Sequence, residues 1–267
     1  MSITYRNTIN TGIHGPSTGQ NPLEACFPQS PCPFWAGYQP FADISGTQDH
    51  QGTFGQIKWR AADWKITAIG GAGTTLVPQD SQPNTATFVT RATADGDGYN
   101  LQWSMDGGTT TQSIFKPTAG TLIIAFARFK MDNVANDAHT KSKLFFGLSE
   151  DDAGILASDE DCAGFLKAAA ANSTVGTIAN DGTATDTADL LDFANDTYIS
   201  LGMRINGVTS VEFWKGTTAH DMTRLSTQTT VTNIPNEAMA LSFEGQTSEA
   251  AAITFTLQHL MAAQEAY

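Results

Sequence analysis

The chain of 267 residues carries 27 acidic against 14 basic side chains, a formal net charge of −13 at pH 7. With 15% charged and 40% hydrophobic residues it is neither a highly charged disordered chain nor a helical coiled coil, and its length allows one large domain with an appendage. No window gathers several Lys and Arg, and the densest charge runs, Glu150-Asp151-Asp152 and Asp159-Glu160-Asp161, are acidic, so no nucleic-acid partner is expected. No apolar run approaches the ~20 residues that span a bilayer, and the first residues lack the basic and apolar regions of a signal peptide; the expectation is a cytosolic product without a membrane partner. Three cysteines, Cys26, Cys32 and Cys162, do not make a disulfide framework, so the fold must rest on its core.

Residues 1–52 read as an extended amino-terminal arm. Pro16, Pro22, Pro28, Pro31, Pro33 and Pro40 oppose helix and interrupt ladders, and no period-two pattern is visible. Phe27, Phe34, Trp35, Tyr38 and Phe41 are too large and apolar for a plain spacer, since each stabilises by ~1.5 to 3 kcal/mol when buried. The spacing predicts that these five residues bind a surface. The expected surface is a neighbouring subunit, fastened in a trimer or on a lattice; the alternative is the chain's own domain, which the arm would then cover.

Residues 53–267 read as one β-sandwich domain. Short β-prone runs separated by Gly, Asn, Asp and Thr predict strands over 54–66, 85–91 and 99–104, then more clearly over 121–130, 143–148, 198–206, 210–214, 238–243 and 252–257. In the run from Tyr198, Ile199, Leu201, Met203 and Ile205 share one face, and Asn206-Gly207 suits a tight hairpin to Val211 and Phe213. The alternation predicts a core containing Ile124, Phe126, Phe146, Ile199, Leu201, Phe213, Leu241 and Phe255. An alanine-rich run over 161–171 is the one candidate helix, with strand and turn after it. The fold class that follows is all-β: an antiparallel two-sheet sandwich with a Pro-rich arm.

Motifs that carry chemistry are weak. Glu150 and Asp152 have the alternate spacing of a glycanase acid and nucleophile, yet they follow Phe145-Phe146-Gly147-Leu148-Ser149 and fall at a strand end; Asp159 and Asp161 lie in a loop, and solvated turn acids are the better reading. Asp95-Gly96-Asp97-Gly98 starts like a calcium loop, but Tyr99 stands where a third short acid belongs, so a turn is expected. Cys26 and Cys32 are spaced too widely for zinc, and Gly70-Gly71-Ala72-Gly73 lacks the Lys-Ser/Thr of a phosphate loop. No Gly-x-Ser-x-Gly elbow exists, and His14, His50, His139, His220 and His259 lie in polar or irregular settings. Trp59, Trp64, Trp103 and Trp214 could stack on sugars, but tryptophans on strands more often fill cores. No catalytic residue, cofactor or metal is expected.

The stretches Phe126-Ala127-Arg128-Phe129-Lys130, Leu144-Phe145-Phe146-Gly147-Leu148-Ser149-Glu150, Cys162-Ala163-Gly164-Phe165, 196–207 and Val211-Glu212-Phe213-Trp214 occur in an order that resembles the lectin-like, concanavalin-type sandwiches of tailed-bacteriophage structural proteins. The resemblance covers about residues 120–261 and leaves the arm outside. It implies a jelly-roll or lectin-like form of the two-sheet sandwich and a non-enzymatic virion protein, such as a capsid decoration (cement) protein on the capsid surface, assembled in the host cytoplasm. Its partners would be the major capsid protein and further copies of itself, with a homotrimer as the expectation. The alternative is a carbohydrate-binding module of a tail or fibre protein; a glycanase would rest on Glu150 and Asp152 alone.

Overall fold

Alternation of large apolar and small or polar residues makes two antiparallel sheets, each burying one face against the other. In the computed structural model, residues 34–40, 64–70, 75–78, 86–90, 95–103, 111, 113–157, 161–167, 174–181, 184–218, 221–229 and 231–265 are described. Their strands are β1 (Phe34–Pro40), β2 (Trp64–Ile69), β3 (Thr75–Pro78), β4 (Ala86–Val89), β5 (Gly98–Trp103), β6 (Leu122–Asp132), β7 (Ser142–Ser149) and β8 (Cys162–Lys167). They continue with β9 (Thr174–Asn180), β10 (Ala184–Asp192), β11 (Ile199–Asn206), β12 (Ser210–Gly216), β13 (Thr223–Gln228), β14 (Ala240–Thr247) and β15 (Thr254–Glu265). A short helix, α1 (Ala138–Lys141), links β6 to β7.

Sheet I has the order β13-β12-β11-β6-β15-β4-β3, with β1 also paired to β15; sheet II has the order β10-β9-β8-β7-β14-β5-β2. Every named strand pair is antiparallel. The fold is therefore the all-β, two-sheet sandwich that the alternation predicts, of the lectin-like kind that the resemblance implies. Between the sheets, β6 contributes Ile123, Ala125, Ala127, Phe129 and Met131, β11 Leu201, Met203 and Ile205, and β14 Leu241 and Phe243, all buried in one cluster. Aromatic rings fill its centre: Phe88 stacks on Phe255 at 4.8 Å between centroids, and Phe165 meets Phe213 edge-on at 5.4 Å.

Several expectations change in detail. Ile124 and Phe126 are buried, at 3% and 2% exposure, but outside the inter-sheet cluster, whose β6 members are the odd-numbered residues, so they face outward from sheet I. The candidate helix over 161–171 is instead strand β8 as far as Lys167: Ala163 and Phe165 enter the core while Gly164 and Leu166 face away, and this period of two overrides alanine's helix propensity. The tight hairpin after β11 is present with three loop residues, because Asn206 pairs with Ser210 and Gly207 takes φ 52°. Of the strand expected over 54–66, residues 64–66 open β2, which runs on to Ile69, and the part before residue 64 lies outside the described residues.

Within the segment read as an irregular arm, residues 34–40 form a ladder strand, with Phe34 opposite Glu265 and Pro40 opposite His259. The prolines do not prevent this, because Pro40 stands at the strand's end, where a missing donor is tolerated. A register shift between Leu257 and His259 divides β15: residues before it pair with β4 and those after it with β1, while β6 runs along its other edge.

Candidate functional site

The outward face of sheet II holds the most polar buried cluster among the described residues, and it arises from strand parity. On β14, Leu241 and Phe243 turn into the core, so Ser242, Glu244 and Gln246 turn out. In register, Ser242 lies between Gln102 of β5 and Gly147 of β7, and Glu244 between Asn100 of β5 and Phe145 of β7. An open sheet face would leave these groups hydrated. Instead Asn100, Gln102, Ser242 and Glu244 are at most 1% exposed and Gln246 is 7% exposed, because the loop of residues 150–157 crosses above them.

That loop is held largely through its backbone. Gln102 donates from Nε2 to the Glu150 carbonyl at 2.6 Å and accepts from the Asp152 N–H at 3.2 Å, while Asn100 Nδ2 donates to the Asp152 carbonyl at 2.7 Å. Ser149 Oγ and Ser242 Oγ share a 2.8 Å hydrogen bond beneath it. Glu244 Oε2 accepts from the Ile155 N–H at 2.6 Å and more weakly from the Leu156 N–H at 3.4 Å, the first two amides of the 3₁₀ turn Ile155–Ala157; Gln246 Nε2 donates to Oε1. Apolar contact completes the seal, since Ile155 packs with Phe145 and Cys162, flanked by Leu156 and Leu166. Burial pushes the Glu244 carboxyl up to about 7, with the nearby Asp152 charge adding to the rise and the three N–H donors opposing it.

Among the described acids singled out from sequence, Glu150 and Asp152 follow β7 and Asp161 precedes β8. Glu150 and Asp152 sit in this loop just after β7, as expected, and Asp152 Oδ1 accepts from the Gly154 N–H at 3.2 Å. Asp151 between them pairs with Lys65 and accepts from Thr111 at 2.8 Å; burial raises its carboxyl, but those two donors bring it below the usual carboxylate range. Asp161 is a correction: it is 8% exposed rather than solvated, and its Oδ2 accepts from the N–H groups of Asn236 and Glu237. Burial, with Asp181 and Glu237 nearby, raises its carboxyl, against those donors. Asp159 lies outside the described residues. Asp95 and Gly96 form the expected turn, Asp95 paired with Lys143 at 2.8 Å and Gly96 at φ 85°. Among the described residues no three His, Cys, Asp or Glu side chains are grouped to hold a metal ion.

Trp64 and Trp103 are core residues, 1% and 7% exposed, and Trp214 is half-buried on β12; Trp59 lies outside the described residues. Of the five arm residues, Phe34, Trp35 and Tyr38 belong to β1, whereas Phe27 and Phe41 lie outside the described residues, as do Cys26 and Cys32. Sequence reasoning missed Glu244 because it looked for acids in pairs. The available signal was the alternation Leu241, Phe243 against Ser242, Glu244, Gln246, which places a carboxyl mid-strand where both flanking strands leave little water.

A two-sheet sandwich is a fold that hosts many unrelated functions. No protein-family model matches the chain, and no curated protein matches it by sequence. Solved structures do match in fold. A protein of unknown function from Shewanella oneidensis MR-1 is similar at TM-score 0.55 and 12% identity, over 99% of this chain and 94% of that one. The alginate lyase A1-II′ of polysaccharide lyase family 7 is similar at 0.55 and 10%, over 81% of this chain and 100% of that one. Peanut lectin is similar at 0.56 and 7%, over 88% and 98%. These identities carry the sandwich fold and no activity.

Proposed function

We propose that the chain is a non-enzymatic structural protein of a tailed-phage particle, a capsid decoration protein that binds the major capsid protein and neighbouring copies of itself. The observation that supports a non-enzymatic reading is the sealed face of sheet II. Its central row holds one carboxyl, Glu244, flanked by the neutral Asn100, Gln102, Ser242 and Gln246, and that carboxyl is 0% exposed beneath residues 150–157. Acid-pair hydrolysis of glycosides needs two carboxyls about 5 to 9.5 Å apart with sugar between them. The virion reading itself is supported by the order of sequence stretches from Phe126 to Trp214, and the aromatic arm supplies the surface for neighbours through Phe27, Phe34, Trp35, Tyr38 and Phe41.

The test is proteomic and structural. Purified particles are analysed by mass spectrometry, and purified protein is added to capsids that lack it and imaged by cryo-electron microscopy. The expected result is a stoichiometric virion component that forms regular surface density, in trimers. Absence from particles, or binding to a glycan array without binding to capsids, would overturn the proposal in favour of a carbohydrate-binding module.

A further inference from the structure

Residues 150–157 are fastened to sheet II by neutral amides, an ion pair and one buried acid. Asn100 and Gln102 of β5 have no charge to gain or lose. Asp151, paired with Lys65 of β2, has its carboxyl held low and stays ionised near neutrality. Glu244 differs: it is fully buried and grips two backbone amides of the loop.

The charged groups around it do not neutralise it. Asp152 on the loop is a like charge, Lys143 of β7 is engaged with Asp95, and Lys65 with Asp151. From its own strand come the neutral Ser242 and Gln246, from β7 Phe145, and from β8 Leu166. One further atom bears on the proton. Asn100 lies directly across the β5–β14 ladder from Glu244 and is 1% exposed, and its Oδ1 is buried without a hydrogen-bond partner. Across the ladder from a carboxylate it is an acceptor with no donor to meet; across from a carboxylic acid the neighbouring strand carries a donor.

We propose that Glu244 and residues 150–157 form a proton-controlled latch. With Glu244 neutral, its O–H satisfies Asn100 Oδ1 and the loop lies closed on sheet II. With Glu244 ionised, the loop lifts, water reaches the carboxylate, and Asn100, Gln102, Ser242 and Gln246 are bared as a polar strip. The proton exchanges with solvent, and no other bond is made or broken.

The sign follows from linkage. The closed state holds the proton up to about 7, whereas a hydrated glutamate releases it near 4.5. Closing is therefore strongest below the lower value, weakens as pH rises through the interval, and is flat above the upper one. Between pH 5.5 and 8 the opening constant should rise roughly tenfold to thirtyfold.

Hydrogen exchange of the full-length protein tests this at pH 5.5 and pH 8, with exchange times scaled for the intrinsic rates. The Ile155 and Leu156 amides should lose protection by that factor, while the β7–β14 ladder amides stay unchanged. Glu244→Gln, which keeps an acceptor for the loop and provides donors for Asn100 and, once the Gln246 amide turns over, for its oxygen, should remain closed at both pH values. Equal protection in the wild type at the two pH values would overturn the latch, as would the same rise in Glu244→Gln. Should that variant fail to fold, carbon NMR of the wild-type Glu244 carboxyl decides: a midpoint above about 6 supports the latch, and one in the ordinary carboxylate range overturns it.

Discussion

Single atoms decide how closely the two sheets approach, and Gly245 shows how. It occupies the inward position that follows Leu241 and Phe243 on β14, and a Cβ built there would lie 2.8 Å from Phe88 Cζ and 2.9 Å from Phe255 Cε1. Those two rings are stacked and fully buried, so neither can swing aside cheaply. Gly245→Ala should destabilise by about 1 to 3 kcal/mol, read as a lower midpoint in urea unfolding with an unchanged slope. The loop acids give the opposite expectation. Glu150 meets Gln102 through its backbone carbonyl, and Asp152 uses one carboxyl oxygen that an amide oxygen can replace. Asp152→Asn should shift stability by no more than about 0.5 kcal/mol, and neither it nor Glu150→Gln should have hydrolytic activity to lose. An activity on any polysaccharide that disappears in Glu150→Gln would contradict both this and the proposed function.

At the level of elements, strands declare themselves where one face is core and the other is not. β11 and β12 are the clearest case: Leu201, Met203, Ile205, Val211 and Phe213 are all at most 1% exposed, and the Asn206-Gly207 turn between them could be read directly. Truncating Phe213, which meets Phe165 edge-on, should cost about 3 to 5 kcal/mol and Leu201→Ala about 2 to 5, both measured by thermal or urea unfolding. Where both faces are buried, the pattern fails. β6 presents Ile123, Ala125, Ala127 and Phe129 to the sandwich but also buries Ile124 and Phe126 on its other side, so its sequence reads as a continuous apolar run and the wrong face looked like the core. β8 misled for a different reason: alanines mask a period of two, and only its place between β7 and β9 makes it a strand. The loop of residues 150–157 could be read as a loop, but not as the cover of a polar row, because the residues it meets on β5 and β14 are distant in sequence.

For the whole molecule, the question is how the amino-terminal segment belongs to the sandwich. β15 runs through the middle of sheet I, and its second half, from His259 to Glu265, has β6 on one edge and β1 on the other. Remove β1 and seven residues of backbone lose their partners beside an apolar strand, an edge of the kind that recruits other chains. The outward side of this part of the sheet is apolar as well, for Ile124, Phe126, Met261 and Ala263 are 3%, 2%, 1% and 1% exposed although they point away from the inter-sheet core. Two truncations separate holding the fold from binding a neighbour. Deleting residues 1–30 spares β1 and removes Phe27, and should weaken the attachment to capsids that the proposed function requires. Deleting residues 1–49 removes β1 and should lower the midpoint and cause aggregation in dilute solution, seen by light scattering. If the longer truncation instead stayed folded and monodisperse with an unchanged midpoint but no longer decorated capsids, β1 would be a fastener for neighbouring subunits and not a support for its own sheet.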